Sequence, residues 1–238
     1  MVRGQRRGVR EPQFEDAEET LRTILRTAQQ LFMEFGYRAV TTRQIASACG
    51  LTQPALYHYF HDKQELYVAM MHEEVAKMRA ALERIARRGE SVSERLQRIV
   101  VYLLNSGQHD LDIMLHDIRH ELSEEARATL ANIFRTGIVA PIATVFAAGI
   151  EEGLLRDREH GGVDAITAAY LLLSMIARQP GGGRPDERAH GEEAAQQSHS
   201  ILFAGDEQRA SMIVRVLLHG LAYPDRELED VRQSYPEA

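Results

Sequence analysis

"TTRQIASACGLTQPALYHYFHDKQEL", residues 41–66, crowds three helix starts into one short stretch. Thr41 followed three residues later by Gln44 is a capping box, in which each side chain answers the other's backbone N–H. It predicts a helix from Thr42 that turns Ile45 and Ala46 inward and is over by Gly50. Thr52 is then a good N-cap, and Pro54 is tolerated because it falls in the first turn, where backbone donors lack helical partners. Leu56 and Phe60, four apart, anchor this second short helix. Asp62 with Glu65 caps the start of a third, much longer one. Two short helices joined by a tight Gly-containing turn, with a longer helix in front, form a helix-turn-helix.

That front helix is legible as Leu21, Ile24, Leu25, Ala28, Leu31, Phe32 and Phe35, an apolar stripe at three- and four-residue steps. Asp16 with Glu19 caps its start, and Gly36 stops it. Further helices are expected over about 62–87, 92–107, 110–120, 123–153, 163–178 and 207–222. No run alternates with period two, so the fold class is all-α. The domain reading is a basic arm at 1–15, the helix-turn-helix at 16–62, an effector-binding and dimerisation bundle at 63–222 and a tail at 223–238. Residues 179–200 are rich in Gly, Pro and charge and form an insertion that buries little.

In the second helix of a helix-turn-helix, the first turn reaches base edges in the major groove. With Leu56 and Phe60 inward, Gln53, Ala55, Tyr57 and His58 project elsewhere. Gln53 can read adenine bidentately, Ala55 can meet a thymine methyl, and Arg43 can take a guanine or a phosphate. Thr42, Tyr57, Tyr59 and Lys63 suit phosphates, since hydroxyls and an ammonium near helix N-termini add donors where the dipole favours anions.

Charge agrees once it is divided by region. The chain carries −7 overall, yet residues 1–63 hold nine Lys or Arg against seven Asp or Glu, with Arg3, Arg6, Arg7 and Arg10 in the arm. The 44% hydrophobic content supplies a core, and the single Cys49 excludes an internal disulfide, in keeping with a reducing cytoplasm. No signal peptide and no apolar run of bilayer length is seen, so no membrane partner is expected.

From "ILRTAQQLFMEFGYRAVTTRQIA" through "ACGLTQPALYHYFHDKQELYVAM" the sequence resembles the TetR family of bacterial transcriptional regulators. The likeness includes the LeuPhe pair, GlyTyr before the second helix, the Thr pair with IleAla, the Gly of the turn, the LeuTyr-x-x-Phe core and Lys63. It implies an all-helical homodimer, with a C-terminal domain that takes a small molecule and last helices that pair across a two-fold axis; since two half-sites then add their binding energies, double-stranded operator DNA is expected to be palindromic. It also implies DNA-binding roles for Thr42, Arg43, Gln53, Pro54, Ala55, Tyr57, His58, Tyr59 and Lys63, with Thr52 opening the recognition helix. The order HisTyrPhe at 58–60 departs from the family's usual His just before Phe.

Beyond residue 87 only pattern speaks. Ile166, Tyr170 and Leu173, with Ile213, Leu217 and Leu221, lie on faces too wide for one partner, and are expected to serve a dimer interface. Pro141 removes the bond to the Gly137 carbonyl, so a kink is expected, with room beneath it for a small hydrophobic effector lined by Tyr102, Met114, Phe134, Phe146 and Tyr170. His109, Asp112, His116 and His120 share a helix face, but it lies opposite Leu111, Met114, Leu115 and Ile118, so it reads as solvated surface rather than a metal site. No nucleophile elbow, Gly-rich phosphate loop or HExxH appears, so neither an enzyme nor a cofactor is expected. A ligand-released repressor is the leading reading; a DNA-binding adaptor or architectural protein without an effector is the alternative.

Overall fold

The structure, a computed structural model, describes residues 12–106, 121–177 and 205–221. Its helices are α1 Pro12–Ala39, α2 Thr42–Ala48, α3 Gln53–Tyr57, α4 Lys63–Ala86, α5 Val92–Asn105, α6 Glu124–Phe134, α7 Ala140–Glu151, α8 Ala165–Ala177 and α9 Asp206–Leu221. A π-helical turn, Arg135–Val139, joins α6 to α7. No β-strand occurs among the described residues, and the all-α expectation holds.

Most helix ends fall close to where the caps put them. The first does not: α1 begins at Pro12, so Asp16 lies within the helix rather than ahead of it. Gly36 breaks the regular part of α1 at φ 78°, a conformation that favours glycine. Phe35, expected in the buried stripe, is 56% exposed, since the stripe's buried members are Ile24, Ala28 and Phe32. The expected 110–120 helix, the 179–200 insertion, the tail at 223–238 and residues 1–11 lie outside the described residues.

The chain divides into two compact units, and the division falls inside α4, after Glu73, rather than ahead of that helix. The first unit holds α1, α2, α3, the start of α4 and residues 121–130. Its centre is an aromatic trio: Phe32 lies 5.6 Å from Tyr37, and Tyr67 meets both edge-on at 5.2 and 5.1 Å. Ile45, Ala46, Leu56 and Leu66 complete the core around it. Ser123 caps α6 through the Ala126 N–H and donates its own N–H to Gln64 Oε1 at 2.8 Å.

The second unit is a helical bundle whose core draws Leu96, Ile99 and Val100 from α5, Ile142, Val145 and Phe146 from α7, Ala169 and Leu172 from α8, and Val214 and Leu218 from α9. Pro141 lacks an N–H, so the turn before it cannot close as an α-helix; it widens into the π turn instead. The expected kink thus takes the form of a π turn. Gly137, within it, lets α4 come close: a Cβ there would stand 2.3 Å from Val75 Cγ1. By length and composition the continuous stretch Glu124–Glu151 would serve as a membrane span, contrary to the expectation from sequence. Here Ile138, Val139, Ile142, Val145 and Phe146 are buried in the protein's own core. The loop after α7 caps α9: Arg156 donates its backbone N–H to the Leu221 carbonyl at 2.8 Å and its guanidinium to the Gly220 carbonyl at 2.6 Å.

Candidate nucleic-acid interface

The capping box at Thr41 is complete. Gln44 donates its N–H to Thr41 Oγ1 at 3.2 Å, and its side chain accepts the Thr41 N–H at 2.8 Å. α2 ends at Ala48 with Cys49 as its C-cap, and Gly50 turns the chain at φ 70°, bringing the Leu51 N–H back to the Ala46 carbonyl at 2.8 Å. Thr52 opens α3 by accepting from the Ala55 N–H, with Pro54 in the first turn. Leu56 and Phe60 are buried at 1% and 7% exposure, and fix which side of α3 faces out. Asp62 caps α4 through the Glu65 N–H at 2.7 Å, while Glu65 accepts from the His61 N–H.

On the outward side the expected residues separate into three groups. Arg43, Thr52, Pro54 and His58 are exposed, and Ala55 and Tyr59 are half-exposed. Thr42, Gln53 and Tyr57 are drawn together, which pattern reading did not foresee. Gln53 Nε2 donates to Thr42 Oγ1 and to the Tyr57 hydroxyl, each at 3.2 Å, and the two hydroxyls stand 3.3 Å apart. The bonds from Thr42, then Gln53, hold the Tyr57 phenol below its ordinary pKa. The signal for this triangle was present as the four-residue spacing of Gln53 and Tyr57, but the approach of Thr42 depends on how α2 packs on α3.

Lys63 requires correction. Its ammonium turns inward, donating to the Tyr37 carbonyl at 2.8 Å and the Val40 carbonyl at 3.0 Å while lying 4.1 Å above the Tyr37 ring. It ties the start of α4 to the α1–α2 corner rather than pointing at a phosphate.

Known proteins share a unit of this kind. Residues 24–70 match the family described as "Bacterial regulatory proteins, tetR family". That segment, about a fifth of the chain, is similar to the TetR family. Its curated relatives include "HTH-type transcriptional repressor Rv1474c" of Mycobacterium tuberculosis, 36% identical over 63 residues, 26% of this chain and 34% of that protein. Another is "HTH-type transcriptional activator FasR" of Mycolicibacterium smegmatis, 30% identical over 107 residues, 45% of this chain and 47% of that one. The chain thus spans a third to a half of the length of these relatives. Among solved structures, AibR in complex with isovaleryl coenzyme A and operator DNA is 25% identical, with a TM-score of 0.53 over 77% of this chain and 98% of that one. The matched TetR segment contains the capping box, α3 and the start of α4, the same elements that build the outward face.

In the second unit the sequence expectations fare unevenly. Ile213, Leu217 and Leu221 are buried at 4%, 8% and 9% within a single chain, so they belong to the protomer's core and not to a dimer face. The stripe they form on α9 is taken up by α5 and α8. Ile166 and Tyr170 are exposed, and Leu173 is partly buried against the core. Tyr170 therefore does not join an internal pocket: the inward arc of α8 is Ala168, Ala169, Leu172 and Ile176. Phe146 is fully buried, Tyr102 and Phe134 pack on the core's edge, and Met114, like His109, Asp112, His116 and His120, lies outside the described residues.

Proposed function

We propose that this protein is a dimeric transcriptional regulator, most simply a repressor, that binds a palindromic operator and releases it when a small hydrophobic effector occupies the second unit. The observation that carries the reading is α3: five residues, capped by Thr52, with Leu56 holding one side inward and Gln53, Pro54, Tyr57 and His58 available on the other. An element so short contributes little to the core; its outward side chains are suited to base edges and phosphates in a major groove.

One such helix makes too few contacts for a specific site. Two copies about 34–36 Å apart would read successive grooves and add their energies. α8 supports a dimer by presenting Ile166, Tyr170 and Leu171, and α9 by presenting Val216, all large apolar side chains that the protomer leaves exposed. α4 carries the chain from the reading unit into the bundle, so an effector that prefers one bundle arrangement can bias the spacing of the two α3 helices. Only differential affinity does this, and a coupling of about 1–3 kcal/mol changes operator affinity about 5- to 150-fold. AibR's complex with isovaleryl coenzyme A makes acyl thioesters a natural first panel of effectors. Action on a chromosome would place the protein in the cytoplasm.

Selection of bound sites from random duplex DNA tests this directly. The expected product is a palindrome whose half-site centres lie about 10 base pairs apart. Ile166→Glu is expected to yield a monomer that binds it at least tenfold more weakly. Selection of no palindrome, or unchanged binding by a monomeric variant, contradicts the reading.

A further inference from the structure

The triangle of Thr42, Gln53 and Tyr57 can be followed hydrogen by hydrogen. The Gln53 amide has two N–H hydrogens and one carbonyl oxygen, and each hydroxyl has one hydrogen. Nε2 donates to Thr42 Oγ1 and to the Tyr57 hydroxyl, so the amide NH2 is turned toward the two hydroxyls. The two hydroxyls share one further hydrogen bond, which commits one of their two hydrogens. What the triangle retains for another molecule is the Gln53 carbonyl oxygen, a single hydroxyl hydrogen and one hydroxyl lone pair.

We infer that Thr42 and Tyr57 are positioning residues that fix Gln53 as a single acceptor, so that it reads one exocyclic base amine, adenine N6 or cytosine N4, in each half-site. The inference rests on the DNA-binding reading above and names the chemistry that α3 would recognise. A bidentate contact to adenine needs an amide hydrogen for N7, and the Gln53 NH2 is already turned to the Thr42 and Tyr57 hydroxyls. Holding the long, flexible Gln side chain before DNA arrives also removes its ordering cost from the binding step. Two hydroxyls acting only as phosphate clamps would contribute equally on every sequence. The lowered phenol pKa of Tyr57 agrees with a hydroxyl that accepts more than it donates.

The test is selection from random duplexes by the full-length protein and by Tyr57→Phe, Thr42→Val and Gln53→Ala, each checked by circular dichroism for an unchanged helical signal. Expected for the parent protein is one base pair in each half-site at which A and C on one strand are preferred about tenfold over G and T. All three variants are expected to lose that preference at the same base pair and to keep the others. Uniform weakening on all sequences by Tyr57→Phe and Thr42→Val, with base preferences intact, overturns the inference. So does a preference for A alone that only Gln53→Ala removes. If the parent protein itself selects no half-sites, the DNA-binding reading fails, a result distinct from either of these.

Discussion

Lys63 shows how a residue's type can be legible while its task is not. A lysine at the head of α4, beside the recognition helix, invites a phosphate, yet its ammonium is spent on the Tyr37 and Val40 carbonyls and the Tyr37 ring. Those partners lie more than twenty residues away in sequence, out of reach of local periodicity or capping rules. Lys63→Met is therefore expected to lower stability by about 2 kcal/mol, read as a shift of the urea midpoint. The salt dependence of operator binding should stay unchanged. A phosphate-bound lysine would instead reduce the slope by about one, with little effect on the midpoint. Thr41, Gln44 and Thr52 behave differently: their partners lie three residues away, so their roles could be read straight from the sequence.

At the scale of elements, caps and apolar stripes fix most of the helices. The joint between α6 and α7 adds something only three dimensions provide. Pro141 foretold an interruption beside Gly137, but the π turn and the approach of Val75 from α4 were not visible as pattern. Valine is stiff at χ1, so Gly137→Ala has to move α4 or the turn by more than a rotamer change allows. It is expected to cost about 1–3 kcal/mol by thermal or denaturant unfolding. A variant as stable as the parent would show that the two elements separate easily. The stripes of α8 and α9 gave the reverse lesson: their width was read correctly, but Ile213, Leu217 and Leu221 face the protomer's own core, while Ile166, Tyr170 and Val216 remain outside. Apolar residues recurring at helical spacing locate a face without saying which neighbour covers it.

Across the whole molecule, the N-terminal unit was the more legible half because its duty is written in short-range chemistry: a capping box, a glycine at φ 70°, a capped short helix and two buried anchors. The second unit is built from general core packing, in which many apolar sequences are equivalent, so an effector's contacts leave little trace in one sequence. The central claim is that two copies of α3 lie in successive major grooves. It is tested most directly by placing a photoreactive residue at position 55, in the first turn of α3, and mapping its adducts on the selected operator. The account predicts adducts on major-groove bases at two positions about 10 base pairs apart, related by the palindrome. Adducts at a single position, or none on bases while the protein remains bound, would contradict it.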